Sequence, residues 1–189
     1  LSGVLVDVVM LSSTFLIASY IGSRLLGIDR QTAWLIGAGS SICGAAAVLA
    51  TAPVVKAESS KVAVAVATVV IFGTAGIFLY PWIWHHVASL IPGISATQFG
   101  VYTGSTMHEV SQVVAAGQAV SPETESAAVI AKMLRVMLLA PVLLVLSIFI
   151  SRDTAESGTT AQRIVFPWFA LMFIVVAMFN SFHLLPLPV

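Results

Sequence analysis

The 189-residue chain has eight basic and eight acidic side chains, so its formal net charge is zero, and 59% of its residues are hydrophobic. Charged residues make up 8% of the chain, against about 25% in soluble domains, and the mean hydropathy is +1.04. This composition excludes a soluble fold, and the absence of any basic run excludes a nucleic-acid partner. It predicts an integral membrane protein in contact with the lipid bilayer.

Crossing the hydrocarbon core takes about 20 apolar residues, and six hydrophobic segments of suitable length follow one another. In chain order they cover about residues 3–22, 32–55, 61–80, 98–118, 127–150 and 164–185. None shows the alternation of membrane β-strands. We predict an all-α, polytopic helical bundle in which two segments, 32–55 and 98–118, are broken at glycines or re-entrant.

The stretches between these segments predict a helix end, an interfacial region and a loop. The third helix is expected to stop at Tyr80-Pro81, and residues 82–97 are expected at the membrane interface because they contain Trp82 and Trp84. The polar stretch 151–163 is predicted to be a loop in water. The chain begins without a methionine and already in apolar sequence. We therefore expect residues 1–189 to be a single transmembrane transporter domain from an N-terminally truncated fragment.

A shift of 65 residues places GSSICGAAAVLATA (39–52) over GSTMHEVSQVVAAG (104–117) and indicates an internal repeat. Paired segments interrupted by glycine point to the binding site in many secondary transporters. A broken helix leaves backbone N–H groups free, and small residues let an anion approach them. We therefore predict substrate binding by Gly39, Ser40, Ser41, Gly104, Ser105 and Thr106. The alternative is that these residues only allow ordinary spanning helices to pack closely.

The segment 98–118 contains adjacent ionisable residues, His108 and Glu109, which are costly inside a membrane. Gln112 lies on the same predicted helix face, and His108 can change charge near neutral pH. We expect these residues to couple transport to a proton or another cation. Lys132 and Arg135, on the next segment, are expected to balance charge. The alternatives are that Glu109 forms a structural ion pair with either of these cations, or that both cations extend to the headgroups.

Other polar residues are interpreted as interfacial or helix-end groups: Asp7, His85, His86, Asn180 and His183. An enzyme is not expected. His108-Glu109 lacks the second histidine of the HExxH zinc motif, because that position is Gln112. Ser105 and Ser111 lack the sequence around an activated nucleophile. The single cysteine excludes an internal disulfide and a site built from several cysteines, and we expect neither a metal nor a cofactor.

Three blocks of the chain resemble the YeiH-type family of bacterial inner-membrane proteins: LIGAGSSICGAAAVLATAPVVKA (35–57), FGVYTGSTMHEVSQVVAAG (99–117) and AKMLRVMLLAP (131–141). The similarity covers essentially the whole chain and corresponds to the later part of that family. It implies sulfate export across the bacterial inner membrane. It also implies a fold related to transporters with inverted repeats and broken helices, including cation/proton antiporters and bile-acid symporters. The family-like polar residues are Ser41, Cys43, His108, Glu109, Gln112, Lys132 and Arg135, of which Cys43 joins the predicted substrate residues.

The expected function is secondary transport of a small anion, such as sulfate or a related sulfur oxyanion, coupled to a proton or cation. Two alternatives remain open: a cation-coupled carrier or channel for another substrate, and a membrane assembly or sensory subunit that transports nothing. The sequence also allows a homo-oligomer.

Overall fold

The computed structural model describes residues 2–87 and 93–156, together with Met172 and Val175. All regular elements in this part of the chain are helices, which confirms the predicted fold class. They are α1 (Ser2–Tyr20), α2 (Arg30–Ser41), α3 (Ala45–Val55), α4 (Ser59–Val87), α5 (Ala96–Thr106), α6 (Val110–Gln118), α7 (Pro122–Met137) and α8 (Leu139–Glu156). A π-helical turn, Ile21–Leu25, follows α1. Helices α1 to α7 belong to one compact unit, residues 1–138, and α8 belongs to a second, residues 139–189.

Both segments that were predicted to be broken are broken. The first divides into α2 and α3 around residues 42–44, where Gly44 adopts a φ of 76°. L-residues with a side chain rarely adopt this conformation. The second divides into α5 and α6 around residues 107–109, where Met107 and Glu109 are both extended. Each break therefore interrupts the helical hydrogen bonds over three residues in an otherwise apolar segment.

Helix α4 is longer than the sequence indicated. The third segment was expected to stop at Tyr80-Pro81, but the helix continues through Pro81 to Val87 and includes the first part of the stretch 82–97. A proline removes one helical hydrogen bond, and helices in membranes tolerate that loss where neighbouring groups compensate. Large apolar side chains such as Phe72 and Phe78 are exposed along α4, as expected of a helix that lies in lipid.

The fifth segment, predicted as one helix over 127–150, also differs. Helix α7 begins earlier, at Pro122, because Ser121 caps it by accepting a hydrogen bond from Thr124 N. The helical hydrogen bonding is interrupted at Leu138, and α8 then runs to Glu156, six residues into the predicted loop.

Three helical stretches are long and apolar enough to cross a membrane: Asp7–Leu25, Ser59–Val87 and Pro122–Ile148. The count of six segments is not confirmed. The sixth predicted segment, 164–185, with Asn180 and His183, lies outside the described residues.

Close helix packing in the first unit depends on glycines. A Cβ atom on Gly104 of α5 would lie 2.1 Å from the carbonyl oxygen of Ala128 on α7, and one on Gly100 would lie 2.5 Å from Thr124 O. Gly39 similarly lets α2 approach Val69 on α4. These contacts bring the backbones of neighbouring helices together and hold both breaks in the interior of the unit.

A polar cluster holds the start of α2 against the end of α3 and the start of α4. Asp29 caps α2 by accepting hydrogen bonds from Gln31 N and Thr32 N, and Lys61 Nζ forms an ion pair with it at 2.9 Å. The Gln31 amide donates to Val55 O at 3.0 Å, near the end of α3. This cluster fixes the two halves of the first broken segment relative to α4.

Candidate functional site

The two breaks occupy equivalent positions in the predicted repeat. The helices α2 and α3, shifted by 65 residues, match the bounds of α5 and α6 to within two residues. The residues that end the first helix of each pair, Ile42 and Met107, are 65 positions apart. The residues that precede the second helix, Gly44 and Glu109, are also 65 positions apart. The repeat seen in the sequence is therefore present in the helix pattern.

A single ammonium group bridges the two breaks. Lys132 Nζ, on α7, donates to Ile42 O at 2.8 Å and to Met107 O at 2.6 Å. These carbonyls lie where α2 and α5 end, and the C-terminal end of a helix carries a partial negative charge. Lys132 is fully buried, so its charge is balanced largely by these two helix ends.

Arg135 lies one helical turn further along α7 and reinforces the first break. Its Nε donates to Ser41 O at 2.6 Å, and the residue is only 2% exposed. Its Nη1 is buried and has no hydrogen-bond partner in the described structure. A guanidinium donor left unpaired in the interior costs free energy, so the cluster contains one charged donor that is available to another acceptor.

Glu109 supplies negative charge at the opposite helix ends. Its Oε1 accepts from Ala45 N at 3.4 Å, at the start of α3. At the start of α6 it forms a capping box with Gln112, whose side chain accepts from Glu109 N at 3.1 Å. Helix N-termini carry partial positive charge. One carboxylate therefore faces the N-terminal ends of α3 and α6, as one ammonium faces the C-terminal ends of α2 and α5.

Repeat-equivalent positions meet at the centre of this arrangement. The Ile42 and Met107 carbonyls share Lys132, and the backbone of Gly44 packs against the side chain of its equivalent, Glu109. The two breaks therefore lie against each other. We call Lys132, Arg135, Glu109 and the carbonyls and N–H groups that they face the crossing cluster.

Asp7 adds a buried acidic residue next to the crossing cluster. The sequence placed it at the membrane interface, but it is 4% exposed, and Ser105 Oγ on α5 donates to its Oδ1 at 3.4 Å. Asp7 is also the opposite charge that acts most strongly on Arg135. One feature of the sequence could have identified Asp7 as a site residue: it is the only acidic residue in the first hydrophobic segment.

The structure decides between the roles considered for the two cations. They do not extend to the headgroups, because both side chains are buried. Within the described residues neither forms an ion pair with Glu109, which was one of the alternatives that the sequence left open. Both cations donate hydrogen bonds to backbone carbonyls at the breaks. The sequence could not identify these carbonyls as their partners.

The other predicted site residues have mixed surroundings. Gly39 and Gly104 lie at close contacts between helices, and their role in substrate binding stays a prediction. The Ser41 hydroxyl donates to Ala38 O at 3.3 Å, within its own helix. The Thr106 hydroxyl donates to Tyr102 O at 2.6 Å and accepts from Tyr80 Oη, on α4, at 2.7 Å. Ser40 and His108 are half-buried, and Cys43 is a buried free thiol. Across residues 2–87 and 93–156, no group of three metal-binding side chains comes together.

Comparison with known proteins identifies similar membrane proteins. The family described as Conserved hypothetical protein 698 matches residues 1–189. Over 186 residues, or 98% of this chain, the sequence is 62% identical to the UPF0324 inner membrane protein YeiH of Salmonella typhi and 60% identical to that of Escherichia coli K12. It is 56% identical to the UPF0324 membrane protein plu2856 of Photorhabdus laumondii. The chain spans about half the length of these relatives, 52 to 53%. No solved structure matches it.

Proposed function

Because the chain belongs to the Conserved hypothetical protein 698 family and is a helical protein of the bacterial inner membrane, we propose that it carries the transport site of a secondary transporter. The substrate is a small inorganic anion, such as sulfate or a related sulfur oxyanion, and its movement is coupled to a proton or another ion. The observation that carries this proposal is that two helix breaks meet at buried Lys132 and Arg135 and at half-buried Glu109.

The crossing cluster is difficult to explain as a purely structural feature. Each break removes helical hydrogen bonds in an apolar segment, where an unsatisfied backbone group costs several kcal/mol. Burying Lys132 and Arg135 is itself costly, and a bundle of continuous helices would need neither. Broken helices that meet at a repeat interface are the usual architecture of substrate sites in secondary transporters with inverted repeats.

The choice of an anion rests on Arg135. A guanidinium presents planar N–H donors that suit the oxygen atoms of an oxyanion. The Nη1 of Arg135 is buried and unpaired in the described structure, whereas the Nε is already used by Ser41 O. An oxyanion at this position would satisfy the remaining donor and compensate the buried positive charge.

The coupling role rests on Glu109, with His108 beside it in the same break. Protonation of Glu109 would remove the negative charge that faces the starts of α3 and α6, and it would therefore change the balance of helix-end charges at the crossing. A cation bound by Glu109 would have the same electrostatic effect. This is the cation-coupled alternative.

The test is uptake of radioactive sulfate by the full-length gene product in proteoliposomes, with and without imposed proton and sodium gradients. We expect flux that follows the proton gradient and is reduced at least tenfold by Arg135→Gln and by Glu109→Gln. Lys56→Gln and Glu58→Gln provide matched controls, since both residues are exposed and lie outside the crossing cluster.

Three outcomes would contradict parts of the proposal. Unchanged, pH-independent flux in Glu109→Gln excludes its coupling role, and flux that depends on sodium at fixed pH supports the cation-coupled alternative. Absence of flux for any sulfur oxyanion, together with loss of expression in a His108→Ala variant, indicates a non-transporting membrane subunit.

A further inference from the structure

We propose that Asp7, Ser105 and Arg135 form an oxyanion subsite in which the anion and a proton bind together, with Asp7 as the residue that takes the proton. This inference rests on the proposed transport of an anion, and it replaces Glu109 by Asp7, on α1, as the residue that takes the coupling proton. Glu109, in this arrangement, remains the group that compensates the helix ends.

The geometry supplies a positive donor and a negative acceptor in one buried place. Arg135 is 2% exposed and keeps Nη1 without a hydrogen-bond partner in the described structure. Asp7 is 4% exposed, and its only hydrogen bond among the described residues comes from Ser105 Oγ at 3.4 Å, which is long. Asp7 acts electrostatically on Arg135 but is not within ion-pair distance of it. The Asp7 carboxylate and the Arg135 guanidinium therefore interact electrostatically, and each is incompletely hydrogen-bonded.

Charge balance makes a proton necessary for anion binding. Lys132 and Arg135 contribute two positive charges, and Asp7 and Glu109 contribute two negative ones, so the ionised cluster is neutral. An added anion would make the buried cluster negative and would be repelled by the Asp7 carboxylate. Protonation of Asp7 removes that repulsion and creates an O–H donor for the anion. By linkage, the bound anion then favours the protonated form of Asp7 to the same extent.

Other ionisable groups on the elements that pack against α1 are remote from Asp7 or already engaged. Lys132, which also acts on Asp7, is held by the two carbonyls at the breaks. The remaining charged groups lie near the other end of α1 or at the start of α7, several turns from Arg135: Arg24, Arg30, Glu123 and Glu125. Asp7 is thus the carboxylate best placed to become protonated when an anion binds at Arg135.

The test is equilibrium binding of radioactive sulfate, thiosulfate and methanesulfonate to the purified full-length gene product in detergent, from about pH 5 to about pH 8. We expect the affinity for at least one anion to fall with rising pH, by up to about tenfold per unit when one proton is bound with each anion. Asp7→Asn should bind the anion with pH-independent affinity, and Arg135→Gln should lose binding at every pH. Asp7→Glu should keep the pH dependence. This second variant keeps the test valid if Asp7→Asn does not fold.

The outcomes separate this inference from the proposed function. A normal pH dependence in Asp7→Asn, or the loss of that dependence in the exposed control Glu58→Gln, overturns the inference even if the protein transports the anion. Absence of binding for all three probes also overturns it. Conversely, Asp7-dependent binding without any flux in proteoliposomes supports the subsite and contradicts the transport proposal.

Discussion

The side chain of Glu109 occupies the space that a side chain on Gly44 would need: a Cβ atom placed on Gly44 would lie 2.5 Å from Glu109 Cγ. The two residues are equivalent in the 65-residue repeat, so the same position is a glycine in one half and an acid in the other. This difference lets two related helix breaks cross while a single carboxylate serves both N-terminal helix ends.

Gly44→Ala should destabilise the protein and displace Glu109. The φ of 76° and ψ of −136° at Gly44 lie in a region that residues with a side chain rarely adopt, at a cost of roughly 1–3 kcal/mol, and the collision with Glu109 adds about 1–3 kcal/mol of overpacking. Thermal denaturation in detergent measures the effect. Gly93→Ala is the matched control, because Gly93 has a φ of 83° and no atom within 4 Å of its added Cβ. Equal effects of the two substitutions would show that the contact with Glu109 carries no strain.

Lys132→Gln should lower the denaturation temperature far more than Lys56→Gln. The substitution removes the charge that faces the ends of α2 and α5, and hydrogen bonds to charged groups contribute about 1.5–3 kcal/mol each. Two such bonds, to Ile42 O and Met107 O, are lost. Lys56 is exposed and provides the control. Lys132→Arg, which keeps a charge and several donors, should recover part of the lost stability. No difference between the Lys132 and Lys56 variants would contradict the bridging role.

Gly104→Ala should reduce stability even without substrate. Its Cβ would lie 2.1 Å from Ala128 O, a backbone atom that cannot move without separating α5 from α7. We expect a loss of about 1–3 kcal/mol, as for overpacked cores. Gly76→Ala is the control, because its Cβ would lie 3.3 Å from the flexible end of Met107 and in ordinary contact, at 3.7 Å, with the Tyr80 ring. A Gly104→Ala protein with normal stability and impaired anion binding would instead favour the substrate-contact role predicted from the sequence.

Asp29→Ala should weaken the start of α2, outside the apolar segments, by about 0.5–2 kcal/mol, the range for a lost N-cap. Hydrogen bonds from the Thr32 hydroxyl and then from Lys61 lower the pKa of Asp29 from 3.8 to about 2. A lowered pKa means that the stabilisation is complete above pH 3.8 and is lost as the pH falls towards about 2. The difference between wild type and Asp29→Ala should therefore be constant at neutral pH and shrink only in this acidic range. Thermal denaturation measured against pH checks this, and a difference that changes near neutrality would contradict it.

The fold could be predicted where local composition decides it. Glycine, proline and apolar runs indicated helices in a membrane, and the repeated GS pattern located both broken segments. Helix bounds were less predictable. Pro81 does not end α4, and Ser121 starts α7 before its apolar stretch begins, because hydrogen bonding by neighbouring groups outweighs the local signal.

The sequence by itself determined which residues are unusual: charges at Glu109, Lys132 and Arg135 in apolar surroundings, and two segments with the same pattern 65 residues apart. Only the tertiary structure decided what these charges face. Lys132 could have paired with Glu109, as the sequence allowed. Instead, Lys132 binds the carbonyls of two helix ends and Glu109 faces two helix starts. The physical reason is that these partners are backbone groups exposed by the breaks, and their positions depend on how the helices cross rather than on any side-chain pattern.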